Sequence, residues 1–280
     1  DENQFNLHFK KMLVRTIACA LDNHFFNKHA FILVGGTQNT GKSTFCRYLC
    51  PIPLDKYFTE TIPNDKDGLI SLCENFIINL DELSTLSKFE LNHLKSLFSK
   101  DKVRVRHPYA HKTQTDPRRA SFIGSTNEET FLTDTTGNVR WLCFEISGIN
   151  WSYKEISIDK AWSQAYSLYK QGFQFQLSPE ELEKNNIRNR QFQHTPMEYD
   201  LIRKYFSPGT EWEDDKFKTP TEILAYIVSQ SDFRADIRST EKIGKVLHQL
   251  GFQRVSKRQK GIDYPQWGYF VKFNDLENED

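Results

Sequence analysis

Four short apolar runs, at 31–34, 76–80, 120–126 and 141–146, stand out from an otherwise polar chain. Each is β-prone, bounded by polar or turn residues, and too short for a globular helix, as strands buried on both faces of a sheet should be. Helical patterns lie between and around them. Phe5, Phe9, Met12, Leu13, Ile17, Ala20 and Leu21 form a stripe at helical spacing before the first run, and 44–49, 88–100 and 159–170 also read as helices. Ser178-Pro179-Glu180-Glu181 is a helix start, with serine as cap and proline in the first turn. Alternating strands and helices predict an α/β fold, a parallel sheet flanked by helices.

The pattern changes beyond Pro208-Gly209-Thr210, which with Glu211-Trp212-Glu213-Asp214-Asp215 reads as a linker. Thr219-Pro220-Thr221-Glu222 caps one helix, and 239–250 carries a second with Ile243, Val246, Leu247 and Leu250 on one face. Two segments, Phe252-Gln253-Arg254-Val255 and Gly268-Tyr269-Phe270-Val271, then bracket the basic stretch Ser256-Lys257-Arg258-Gln259-Lys260-Gly261. Two helices followed by a basic ribbon read as a winged-helix-like domain, with Lys257, Arg258 and Lys260 as candidate DNA contacts. Such modules also serve as protein-contact domains, and the pattern does not choose between the two. The expected division is a helical segment at 1–30, a core at 31–150, a helical lid or bridge at 151–210, the winged-helix-like domain at 217–274, and an acidic, disordered tail at 275–280.

The strongest chemical signal follows the first strand. Gly36-Thr37-Gln38-Asn39-Thr40-Gly41-Lys42-Ser43-Thr44 has the spacing G-x-x-x-x-G-K-[ST] between a predicted strand and a predicted helix. Glycines there let consecutive backbone N–H groups turn toward a β-phosphate, and the helix start adds the positive end of its dipole. Lys42 is expected to reach the β- and γ-phosphates of ATP, and Ser43 to ligate Mg²⁺. The bland alternative is a flexible turn.

Three further positions extend this reading. Asp81 and Glu82 end the second apolar run 39 residues after Lys42, where one carboxylate can hold the Mg²⁺ and the other activate water. Asn127 ends the third run, placing an amide where a hydrolytic water could be held, although asparagine is also an ordinary turn residue. Arg140 precedes the fourth run, and arginine is the residue that neutralises charge on a transferring phosphoryl group, in cis or from a neighbouring subunit. Alone, it could equally be a surface arginine flanking a strand.

Between the second and third runs, residues 100–119 carry Lys100, Lys102, Arg104, Arg106, Lys112, Arg118 and Arg119 against Asp101 and Asp116, in a chain of zero net charge. Val103-Arg104-Val105-Arg106 alternates like a half-exposed strand, and 107–112 reads as a turn into a return strand. Such a hairpin would offer His111 and Lys112, with Tyr109 nearby, to a phosphate backbone and a stackable base. A solvated basic edge strand is the competing reading. Arg118 and Arg119 could instead serve the ATP site or a subunit interface.

In this order, the loop motif, N-L-D-E-L, P-R-R-A-S-F-I-G-S-T-N-E and T-G-N-V-R-W resemble the virulence-associated protein E family of bacterial mobile elements. These ATPases are similar to superfamily 3 helicases and to the helicase halves of phage and poxvirus primase-helicases. The resemblance covers about residues 5–210. It implies an AAA+-like core, assembly into a homo-oligomeric ring (a hexamer), and ATP-driven movement on single- or double-stranded DNA, with the basic hairpin in the ring channel. Carried onto this sequence, it makes Asn127 the sensor and Arg140 the arginine finger. Many relatives have two consecutive arginines before the aromatic residue, whereas this chain has Val139-Arg140-Trp141, so the finger rests on Arg140 alone.

Composition narrows the classes. No apolar run approaches the ~18 residues that span a bilayer, so membrane insertion is not expected. Cys19, Cys46, Cys50, Cys73 and Cys143 show no C-x-x-C pair, which fits a reducing, cytoplasmic setting. The chain starts at Asp1 with no signal peptide, as expected of a piece trimmed from a longer protein. Two function classes remain: an oligomeric, ATP-hydrolysing DNA helicase or translocase serving mobile-element or phage replication, and an ATP-dependent switch that grips DNA or a protein without unwinding. A small-molecule kinase ranks last, because it needs neither a finger from a neighbour nor a basic hairpin.

Overall fold

The computed structural model describes residues 2–274 apart from 38, 82, 107–109, 133–137, 194–195, 212–214, 260 and 262. The expected acidic tail at 275–280 lies outside the described residues. Two compact units divide the chain, Asp1–His194 and Thr195–Asp280.

The first unit runs α1 (Glu2–Leu21), β1 (Ala30–Val34), α2 (Lys42–Tyr48), β2 (Phe58–Thr59), α3 (Lys66–Glu74), β3 (Ile77–Leu80), α4 (Lys88–Phe98), β4 (Lys102–Val105), β5 (Gln114–Pro117), β6 (Ser121–Thr126), β7 (Trp141–Glu145), α5 (Ile158–Lys170) and α6 (Pro179–Asn189). All four predicted apolar runs are strands. They join β2 in a five-stranded sheet of order β2-β3-β6-β1-β7, parallel at every pairing. Every residue of β1, β3 and β6 is buried, because helices cover both faces, and this is why the runs do not alternate.

The two faces are still visible in the packing. Ala30, Ile32, Val34, Ile78, Phe122 and Trp141 point to one cluster with α3 and α4. Phe31, Leu33, Ile77, Ile123 and Phe144 point to the other with α1, α2 and α5. Successive side chains of a strand project to opposite faces, so one run of five apolar residues feeds both layers. Gly124 is required at its place in β6, since a Cβ there would meet the Leu80 carbonyl oxygen at 2.5 Å. Reciprocal capping boxes start the covering helices, Ser87 with Glu90 on α4 and Ser178 with Glu181 on α6.

The second unit holds α7 (Met197–Tyr205), β8 (Phe206–Pro208), β9 (Lys216–Lys218), α8 (Pro220–Gln230), α9 (Ser239–Gln249), β10 (Arg254–Lys257) and β11 (Gln266–Phe273). Strand β11 pairs antiparallel with β10, β8 and β9. Ile202, Tyr205, Ile223, Ile227, Ile243, Val246, Leu247, Phe252 and Val271 form its core.

One expected boundary moves. Phe206-Ser207-Pro208 pairs with Phe273, Lys272 and Val271, and the Gly209 amide donates to the Phe270 carbonyl at 3.0 Å. The Pro208-Gly209-Thr210 stretch is thus the end of a sheet strand and not a linker. Helix α7 and strand β8, expected in a bridge at 151–210, pack in the second unit's core.

Candidate active site

In an open parallel sheet, loops at the carboxyl ends of the strands form the natural cleft. The candidate residues gather there because β1, β3 and β6 are neighbours: Val34 is level with Thr126, and Leu80 with Gly124. The glycine loop leaves β1 at Gly35, whose amide donates to the Thr126 carbonyl at 3.1 Å. Gly36, Thr37, Asn39 and Thr40 lead to Gly41, with Asn39 (φ 59°) and Gly41 (φ 89°) in the left-handed region. A side chain at Gly41 would be strained by that φ, and its Cβ would also lie 2.8 Å from the Trp151 ring. Gln38 lies outside the described residues.

Lys42 opens α2 and is buried. Its ammonium donates to the carbonyls of Gly35 (3.1 Å) and Thr37 (2.9 Å) and to the Thr40 hydroxyl (2.9 Å), all within the loop. Burial pulls its pKa below the ordinary lysine value, and the Asp81 carboxylate works against that shift. The Ser43 hydroxyl donates to Asp81 Oδ1 at 2.7 Å across 38 residues of chain. Ser125 on β6 donates to the same oxygen at 2.7 Å and lies 3.4 Å from Ser43 Oγ.

Sequence reasoning missed Ser125, and it missed the network behind Asp81. Arg47 Nη2 lies 3.7 Å from Asp81 Oδ2, while its Nε reaches Glu60 Oε1 at 2.7 Å. The Asn79 amide donates to that same Glu60 oxygen at 2.9 Å. A polar asparagine inside the otherwise apolar β3 was the available signal, since a buried amide needs partners. Glu82 follows Asp81 in sequence and lies outside the described residues.

Asn127 follows Thr126 at the carboxyl end of β6, half-buried beside the glycine loop. Arg140 sits elsewhere. It precedes β7, whose first residue Trp141 is level with Ala30 at the start of β1, and its Nε donates to Ser99 Oγ at 2.9 Å. Five residues of strand therefore separate Arg140 from the level of the loop, roughly 16 Å at 3.3 Å per residue.

The predicted basic hairpin exists as β4 paired antiparallel with β5, Val103 opposite Asp116 and Val105 opposite Gln114. Val103 and Val105 are buried, whereas Arg104, Arg106, His111 and Lys112 are exposed; Tyr109 lies outside the described residues. Arg118 does not belong to the exposed basic surface. It is fully buried, and its guanidinium donates to the carbonyls of Ala120, Leu97, Phe98 and Asn27 at 2.6–3.2 Å. Burial lowers its pKa to about 10. Its place is a structural one, tying the α4 C-terminus to β6, away from the glycine loop. In the second unit, Lys257 pairs with Glu211 at 2.9 Å and Arg258 donates to the Asp263 carbonyl at 3.0 Å; Lys260 lies outside the described residues.

Among the described residues no three His, Cys, Asp or Glu side chains are gathered to hold a metal by themselves. The oxygens of Ser43, Asp81 and Ser125 form a hard-donor set of the kind that holds Mg²⁺ together with substrate phosphates. No described helix is long and apolar enough to cross a membrane.

The model of the virulence-associated protein E-like domain matches residues 1–194, which is the whole first unit. The chain belongs to that family. Among solved structures, this VapE-like chain is similar to the apo C-terminal region of NrS-1, with a TM-score of 0.50 and 15% identity over 97% of this chain and 76% of that one. A second apo structure of the same region, its A form, gives the same values. At that identity the likeness is one of fold. No curated protein matches the sequence.

Proposed function

We propose that this VapE-like chain is an Mg-dependent ATPase that works as an oligomeric DNA helicase or translocase of superfamily 3 type, in replication of a mobile element or phage. The observation that carries the reading is the Ser43–Asp81 contact of 2.7 Å beside Lys42, at the carboxyl ends of the parallel strands β1 and β3, which flank β6. Membership of the VapE-like family supports it. The first unit is then a P-loop core of AAA+ type, and the helices and antiparallel sheet of the second a winged-helix-like domain.

Each residue has a chemical task on this reading. The loop from Gly36 to Thr44 holds the triphosphate through its backbone amides, and Lys42 neutralises the β- and γ-phosphates. Ser43 and Asp81 would hold Mg²⁺, with Ser125 fixing the Asp81 carboxylate. The ion, when bound, supplies charge neutralisation across the phosphate oxygens. Glu82 takes a proton from the attacking water, and Asn127 orients it. Arg140 lies too far from the loop of its own chain, which favours its delivery to the site of a neighbouring copy. The exposed Arg104, Arg106, His111 and Lys112 contact DNA phosphates, with Lys257, Arg258 and Lys260 as a second basic surface.

The test is ATP turnover across a protein concentration series, with and without single-stranded DNA, beside Lys42→Ala. Turnover that rises more than linearly with protein, rises again with DNA and vanishes in the variant is expected. ATP binding without any DNA response would favour the assembly-switch reading.

A further inference from the structure

A second feature adjoins the glycine loop on the side away from Asp81. Strand β1 lies between β6 and β7, so Asp81 and Ser125 flank the loop on one side and the segment after β7 on the other. That segment is tied to the loop. The Ile146 amide donates to the Val34 carbonyl at 2.8 Å, a Cβ on Gly35 would meet the Ile146 carbonyl at 2.9 Å, and Trp151 lies on Gly41.

Between this segment, α1 and α6 opens a cleft of about 1450 Å³, ample for a nucleoside, whose lining includes Phe45, Ile146, Gly148, Asn150, Tyr153 and Arg188. Its walls mix aromatic and aliphatic side chains with polar and charged ones. Tyr153 packs edge-on to Phe45 at 5.1 Å and is stacked with Trp151 at 6.1 Å. Tyr153 is 8% exposed, yet its buried hydroxyl has no partner among the described residues, and neither does Arg188 Nε. Buried donors are ordinarily satisfied, so these two point to a ligand with hydrogen-bonding groups.

We propose that this cleft is the nucleoside subsite, which takes the base and ribose of the nucleoside triphosphate whose phosphates lie in the glycine loop, with Tyr153 and Arg188 as its polar contacts. The inference rests on the nucleotide-binding reading of the loop. With the γ-phosphate end directed to Ser43 and Asp81, the nucleoside leaves on the β7 side, where the cleft is. The aromatic and aliphatic side chains of the lining pack on the flat base, and the tyrosine and arginine read its edge or the sugar hydroxyls.

Calorimetric titration of the full chain with Mg-ATP and with Mg-tripolyphosphate separates the subsite from the loop. ATP is expected to bind about ten- to a hundredfold more tightly than tripolyphosphate, the range that base stacking supplies. A Cβ at Gly148 meets nothing within 4 Å, so Gly148→Trp can extend into the cleft without a backbone clash. It should bring ATP down to the tripolyphosphate value and leave tripolyphosphate unchanged. Tyr153→Phe keeps the ring and should weaken ATP alone, by about two- to tenfold. ATP binding unaltered in both variants, or equal affinity of the wild type for ATP and tripolyphosphate, overturns the subsite and leaves the loop reading standing. A wild type that binds neither ligand overturns both.

Discussion

The His8 imidazole lies against the Phe144 ring, centroids 5.6 Å apart, fully buried, with neither ring nitrogen partnered among the described residues. Burial, joined by the positive charges of Arg188, Arg15 and Lys11, lowers its pKa from 6.5 to about 4. The unfolded chain therefore takes up this proton near pH 6.5, and the folded chain only near pH 4. Stability is complete above the higher value and falls as pH drops through the window, by on the order of 3 kcal/mol from this group, about 2 kcal/mol of it by pH 5. Urea unfolding at pH 7 and pH 5 should show that loss, and His8→Leu should reduce it. A slope of about equal size should persist from His29, which burial pushes down to about 2. Equal pH slopes in wild type and His8→Leu would sink the assignment.

The Ser43–Asp81 contact predicts a separation of binding from turnover. Asp81→Asn keeps the shape and the acceptor for Ser43 and Ser125 but removes the charge that attracts a divalent ion. Turnover should fall about a hundredfold or more at low Mg²⁺ and recover in part at high Mg²⁺. Binding of ATP in the presence of EDTA should be within a few-fold of wild type. Turnover that stays at the wild-type level at every Mg²⁺ concentration would remove Asp81 from the site.

The sheet was legible because each core strand is a compact apolar run, and the glycine loop because its spacing is constrained by the backbone. Glu60, Arg47 and Ser125 were not, since Arg47 and Ser125 meet Asp81, and Glu60 meets Arg47, only once the order β2-β3-β6-β1 is known. Strand β8 escaped notice because three residues carry no periodicity and its partner β11 lies some sixty residues on. Arg118 was grouped with the basic surface because carbonyl partners leave no mark in sequence: nothing distinguishes it there from Arg119.

Those adjacent arginines should respond differently to truncation. Arg118→Leu leaves the carbonyls of Leu97, Phe98 and Asn27 without this donor in a buried site, which should destabilise the fold by at least about 3 kcal/mol. Arg119 donates to Asn23 at the exposed edge, and Arg119→Ala should change stability by less than about 1 kcal/mol. Denaturant midpoints of the two variants compare them directly. Equal effects would deny Arg118 its structural place.

The exposed face of the β4–β5 hairpin makes a salt-dependence prediction. Replacing Arg104, Arg106 and Lys112 by alanine removes three charges while Val103 and Val105 keep the hairpin packed. Single-stranded DNA affinity should fall, and the slope of log K against log salt should flatten by about 2, the value for three lost phosphate contacts. Basal ATP turnover should be unchanged, because the hairpin supplies nothing to the glycine loop. An unchanged salt slope would assign the hairpin to the solvated-edge reading.

The position of Arg140 gives the most direct test of assembly. It stands at the amino end of β7, roughly 16 Å along the strand from the level of its own loop, so on the proposed reading it acts on a loop from another copy. Arg140→Ala should lower turnover by about a thousandfold while ATP still binds. Lys42→Ala should be equally inactive, for the opposite reason. Mixing the two inactive proteins should restore turnover, because an intact loop from one variant meets an intact arginine from the other. Mixtures that remain dead under conditions where wild-type turnover rises steeply with concentration would place the arginine outside the shared site.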